Sequence, residues 1–138
     1  MTKHVLLVLG LLLSAASIKA QGFYVVVTGA EKYPASVVYE VLDGTGKSLK
    51  AGYLVIDSPS DIDTVRMALT SSFAVQFYED ANGNQTLDRG FFTQPTERYG
   101  FSNGAWRPLG KPDLEDMLVK RSKVWTGVQV HLKSVTDL

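Results

Sequence analysis

The chain contains no cysteine. Disulfide staples, thiol nucleophiles and thiolate-held metals are therefore excluded. Histidine is almost as scarce, with only His4 and His131. A zinc or other His/Cys-bound metal would lack ligands. Neither sign of charge is in excess, with 14 Lys and Arg against 14 Asp and Glu. No basic stripe is present to follow a phosphate backbone, so no nucleic-acid partner is expected. After residue 20 no apolar run is long enough to span a bilayer. No internal repeat, low-complexity tract or linker divides the chain.

What is present begins with an export signal. Lys3 and His4 give a short basic start, and Val5 to Leu13 is apolar apart from Gly10. Small residues follow at Ser14 to Ser17, then Ile18-Lys19-Ala20. This order predicts a signal peptide over 1–20, cleaved after Ala20. The apolar core is too short for a comfortable membrane anchor. The expected product is an exported chain, periplasmic or secreted, with no membrane span. Removing 1–20 leaves 12 basic against 14 acidic residues. The length of 21–138 suits a single domain with a modest core.

Within 21–138, short runs rich in Val, Tyr, Phe and Thr lie between turn signals. Phe23 to Thr28, Ser36 to Leu42 and Tyr53 to Asp57 read as strands. Asp43-Gly44-Thr45-Gly46 and Ser58-Pro59-Ser60 read as turns. Asp63 to Thr70 alternates, with Val65, Met67 and Leu69 on one face. Ser72 to Glu79 does the same with Phe73, Val75 and Phe77. In Val124 to Leu132, Val124, Val128, Val130 and Leu132 share a face opposite Trp125, Gln129 and His131. Period-two alternation predicts antiparallel strands buried on one side. The expected fold is an all-β, antiparallel two-sheet β-sandwich, immunoglobulin-like or transthyretin-like. A helical turn within Lys111 to Lys120 competes with a short strand at Met117 to Lys120.

Residues 80–111 break the pattern. Glycine and proline recur there among Phe91, Phe92, Tyr99, Phe101 and Trp106. The aromatics predict a long ordered loop packed against the sheet. It opens with Asp80-Ala81-Asn82-Gly83-Asn84-Gln85-Thr86-Leu87-Asp88. Oxygen-bearing side chains fall at positions 1, 3, 5 and 9, as in the first part of an EF-hand loop. Asp80, Asn82, Asn84 and Asp88 are the candidate Ca2+ ligands, with the Thr86 carbonyl and a carboxylate from Glu97 or Glu79 completing the set. The EF-hand glycine of position 6 is Gln85 here, and the bidentate Glu of position 12 is Phe91. A hydrogen-bonded turn fits the same residues, because Asp and Asn cap their own backbone and Asn82-Gly83 favours a turn.

The run from Phe77 to Asp88, then Gln94-Pro95-Thr96-Glu97 and Tyr99-Gly100-Phe101-Ser102-Asn103, resembles the hallmark of the domain-of-unknown-function 2141 family. That pattern is D-x-N-x-N-x-x-L-D followed by G-x-P-x-E-x-Y-G-F-S-N. The chain departs from it at Thr93 or Gln94, where the family usually has glycine two places before the proline, and at Glu79, where an aromatic or histidine is frequent. The resemblance implies an exported bacterial β-sandwich and supplies no established activity.

Thr96 to Asn103 admits two readings. Tyr99, Phe101 and Trp106 would either stack a sugar or peptide as a binding surface for an envelope partner, or plug the open end of the sandwich. Catalysis is not expected. Gly100-Phe101-Ser102-Asn103-Gly104 is not a nucleophile elbow. A carboxylate pair such as Asp88 and Glu97 in a glycoside-cleaving site is the least favoured reading. No cofactor other than Ca2+ is implied.

Overall fold

A computed structural model of the protein describes residues 21–85, 97–108 and 110–137. The expected leader, 1–20, lies outside the described residues, as do Thr86 and Asp88. The described chain runs β1 (Gly22–Thr28), β2 (Ala35–Asp43), β3 (Ser48–Ile56), β4 (Asp63–Arg66), β5 (Ser72–Glu79), β6 (Tyr99–Phe101), α1 (Leu114–Met117), β7 (Val119–Lys120) and β8 (Trp125–His131). Two sheets result, one in the order β4-β1-β8 and one in the order β3-β2-β5-β6 with β7 also on β5. The all-β sandwich expected from the alternation is what forms.

The alternating apolar residues meet between the sheets. Phe23, Val25 and Val27 of β1 and Val128 and Val130 of β8 face Val37, Tyr39 and Val41 of β2 and Phe73, Val75 and Phe77 of β5. Phe23 and Phe73 join the two layers, with ring centroids 5.9 Å apart. Burial of such residues supplies most of the driving force for folding. A second cluster, Leu42, Ala74, Tyr99, Phe101 and Met117, covers the opposite face of the larger sheet. Three consecutive residues of β5, Phe73, Ala74 and Val75, are consequently buried. Asp43 closes the β2–β3 turn, its Oδ1 accepting the Thr45 and Lys47 amides at 2.8 and 3.0 Å.

Five expectations are corrected. The strands are not all antiparallel, because β1 and β8 pair in parallel. The strand expected over Asp63 to Thr70 ends at Arg66. Its partner β1 begins only at Gly22, and beyond that point the Gln21 carbonyl and side chain accept the Met67 and Leu69 amides. Val124 is exposed rather than buried, because β8 starts one residue later and Thr126 takes the inward position. The 80–111 region is not wholly loop, since Tyr99–Phe101 pairs with Gln76–Tyr78 and a 3₁₀ turn follows at Ser102–Gly104. Helix and strand do not compete near residue 117, as α1 and β7 both form in succession.

Candidate functional site

The acidic loop leaves the end of β5. The Asp80 amide still donates to the Ser36 carbonyl of β2 at 2.8 Å, so the first residue of the loop is fixed by the sheet. Its carboxylate is buried. Asp80 Oδ1 accepts the Asn84 amide at 3.1 Å and Oδ2 accepts the Gln85 amide at 2.7 Å. Asn82 Oδ1 also accepts the Asn84 amide, at 3.1 Å. The reversal uses positive φ at Gly83 (76°) and at Gln85 (60°). Left-handed backbone suits glycine and is uncommon for a residue such as glutamine. The Tyr78 hydroxyl donates to the Gln85 carbonyl at 3.3 Å. Burial pushes the Tyr78 hydroxyl up, and the Asp80, Glu97 and Glu40 carboxylates add to the rise. Among the described residues, no group of three or more His, Asp or Glu is placed to hold a metal ion.

Glu79 occupies the last inward position of β5, after Phe73, Val75 and Phe77. It is only 3% exposed. Its carboxylate accepts the Glu31 amide, at 2.7 Å to Oε1 and 3.2 Å to Oε2, and so ties the β1–β2 connection to the sheet. Glu31, Glu79 and Glu97 line a crevice of about 300 Å³ together with Arg98. The sequence marked Glu79 only as a spare ion ligand. The signal for its structural role was its place in the alternation, where a charge stands at a core-facing position.

Burial pushes the Glu79 carboxyl up from its ordinary 4.5, outweighing the Glu31 and Lys32 amides that pull it down. The Glu31 carboxylate adds to the rise and Arg98 opposes it. A raised folded value means that the folded state holds the proton more tightly. The resulting stabilisation is complete below the unfolded value and is lost as pH rises through the folded one. Glu79→Gln keeps an acceptor for the Glu31 amide and removes the titration. Its melting temperature is expected to gain on the parent's between about pH 4 and pH 7. Parallel melting curves for the two proteins across that range would show that the amide bonds fully offset burial, and a parent that gains on the variant would show that they outweigh it.

The aromatic block is mostly interior. Tyr99 and Phe101 are buried and Trp106 is half-buried. Tyr99 stacks on Trp106 with centroids 5.1 Å apart and meets Phe101 edge-on at 6.0 Å. The Tyr99 hydroxyl donates to the Arg107 carbonyl. Trp106 Nε1 donates to the Tyr99 carbonyl at 3.1 Å. Of the three residues expected as a stacking surface, only Trp106 presents part of its ring, and Lys133 Nζ lies 5.7 Å from that ring's centroid.

Ser102 is fully buried. Its Oγ accepts the Val75 amide at 3.0 Å and donates to the Met117 carbonyl at 2.6 Å. It fills the interval on β5 between the residues paired with β6 and those paired with β7. Asn103, at φ 63°, donates from Nδ2 to the Leu118 carbonyl. Ser102 and Asn103 thus fasten the block to the segment around α1. His131 lies on the far sheet, with Nδ1 2.8 Å from Thr28 Oγ1.

A family model described as "Uncharacterized protein conserved in bacteria (DUF2141)" matches residues 25–126. Comparison with curated proteins and with solved structures gave no match. No helix among the described residues is long and apolar enough to cross a membrane.

Proposed function

Since the chain belongs to the DUF2141 family of bacterial proteins, we propose that it is an exported, noncatalytic β-sandwich domain, periplasmic or secreted, whose 80–88 loop takes calcium as a structural ion. The observation that carries this reading is the backbone at Gln85. The EF-hand loop turns sharply at its sixth position, where glycine is usual. Gln85 holds that position and adopts φ 60° despite its side chain, with its amide on Asp80 Oδ2. The turn is retained where the residue type departs. A carboxylate has about four lone-pair sites, and the two amides on Asp80 leave capacity for a cation. Asp80, Asn82, Asn84 and Glu97 are the described candidates, while Thr86 and Asp88 would complete the set. The noncatalytic part rests on the engagement of the buried acids, since Asp80 and Glu79 both hold backbone amides.

Thermal unfolding tests the ion. The protein is melted in excess EDTA and again in millimolar calcium, with magnesium as control. An ion that binds only the folded state adds about 2.7 kcal/mol at about a hundredfold excess over its Kd. A calcium-specific rise of several degrees is expected, and Asp80→Asn, which keeps an amide acceptor, is expected to abolish it. Identical curves in calcium, magnesium and EDTA would reduce the loop to a hydrogen-bonded turn.

A further inference from the structure

The outer face of the β4-β1-β8 sheet carries two aromatic rings, each seated across a glycine of the neighbouring strand. In the parallel register of β1 and β8, Gly22 stands opposite Trp125 and Tyr24 opposite Gly127. Residues two apart on a strand share a face, so both rings lie on the same side. A Cβ at Gly127 would meet Tyr24 Oη at 2.9 Å and its Cε2 and Cζ at 3.0 Å. A Cβ at Gly22 would stand 2.8 Å from Trp125 Cζ3. The rings occupy the space that side chains would take, and so lie along the sheet. Tyr24 is nevertheless 42% exposed, so part of its ring is offered to solvent. Arg66 of β4 approaches Trp125 with its guanidinium 5.8 Å from the ring centroid, a cation–π contact that steadies the indole.

Beside Tyr24 runs a groove of about 700 Å³, within the size range of small-molecule sites. The described residues that line it include Thr28, Gln129, His131 and Asn103, and none carries a carboxylate, ammonium or guanidinium. Two of these polar groups are already held in place, Thr28 against His131 and Asn103 against the Leu118 carbonyl. Backbone N–H and C=O groups of a sheet point at neighbouring strands, not out of its face. A ligand over Tyr24 therefore meets side chains, whereas an extended peptide would use the free edge of β8, the outer strand of this sheet. The described residues that line it offer no fixed charge to a phosphate or carboxylate ligand. What remains is a neutral molecule with one apolar face to lie on a ring and several hydroxyls for an amide, an imidazole and a hydroxyl. A pyranose has that form, since its C–H face suits the negative face of an aromatic ring and its hydroxyls both donate and accept.

We propose that this groove binds a neutral oligosaccharide, with Tyr24 as the stacking platform and Gln129, His131 and Thr28 as hydrogen-bonding partners. The site stands on the opposite sheet from the acidic loop and does not depend on the calcium reading. Calorimetric titration tests it with neutral hexasaccharides of β-1,4-linked glucose, β-1,4-linked N-acetylglucosamine and α-1,4-linked glucose. Saturable binding of at least one is expected, with a Kd of about 1 mM or tighter. Tyr24→Ala and Gln129→Ala should each weaken it about tenfold. Gln129 is exposed, so its variant should melt with the parent and keep the test meaningful if Tyr24→Ala is unstable. Tyr53→Ala, at a tyrosine of similar exposure (39%) on the other sheet, should bind as the parent does. Silence from all three neutral sugars overturns the proposal. So does binding that Gln129→Ala leaves unchanged, and so does binding confined to polygalacturonate or to a casein digest.

Discussion

Tyr99→Ala is expected to lower the unfolding free energy by about 3–5 kcal/mol, the cost of truncating a buried aromatic. Tyr99 is central to the second apolar cluster, between Phe101 on one side and Trp106 on the other. Its removal strips contacts from both rings at once. It also takes the hydroxyl from the Arg107 carbonyl, leaving that acceptor to find water. Urea denaturation read by circular dichroism measures the effect as a lower midpoint at similar slope. Trp106→Ala should cost less, because that ring is only half-buried. The comparison separates the two roles open to this block. A plug for the sandwich loses stability, whereas a binding surface would keep it. An unchanged midpoint in Tyr99→Ala would refute the packing of Tyr99 between Phe101 and Trp106.

Gly100→Val is expected to cost about 3 kcal/mol, at the upper end of ordinary overpacking. Gly100 faces inward, between two outward-facing aromatics. A Cβ there would stand 2.7 Å from the His131 carbonyl oxygen, 2.9 Å from Val130 Cγ1 and 3.1 Å from the His131 carbonyl carbon. Two of these three atoms are backbone and cannot rotate away. The approach matters because β6 is where the sheets join. It pairs with β5 through Gly100 and Phe77. On its other side Tyr99 exchanges two hydrogen bonds of 3.0 Å with Lys133, just past the end of β8. A side chain at 100 would push β6 off β8 and open that edge. Gly104→Val is the control, because nothing stands within 4 Å of its Cβ position. Its own cost is confined to backbone strain at φ 64°. Chemical denaturation of the two variants beside the parent would decide the matter, and a Gly100→Val midpoint equal to the parent's would count against the tight β6–β8 contact.

The acidic loop and the aromatic block were legible as local features. Asp80, Asn82 and Asn84 fall at alternate positions, and a carboxylate that starts a turn naturally collects the amides that follow it. That Gln85 would adopt the left-handed conformation was not legible, because glutamine carries no preference for it. Glu79 was legible in part. Its inward position followed from the alternation of β5, but the amide that makes such burial tolerable comes from Glu31, on a different connection.

The sequence by itself determined the class of the fold and most inward faces. Period-two alternation in β1, β2, β5 and β8 is a relation between near neighbours, and it settles which side of a strand is apolar before any partner arrives. The Asp43 turn is local in the same way. The tertiary structure alone decided which edges meet. It paired β1 with β8 in parallel although they lie at opposite ends of the described chain, and so set Tyr24 on Gly127 and Trp125 on Gly22. It recruited Tyr99–Phe101 into a strand, placed Ser102 in the interval on β5 and buried the rings that flank Gly100. None of these follows from local pattern, because each depends on a surface supplied by residues distant in sequence, and only the closed sandwich brings those surfaces together.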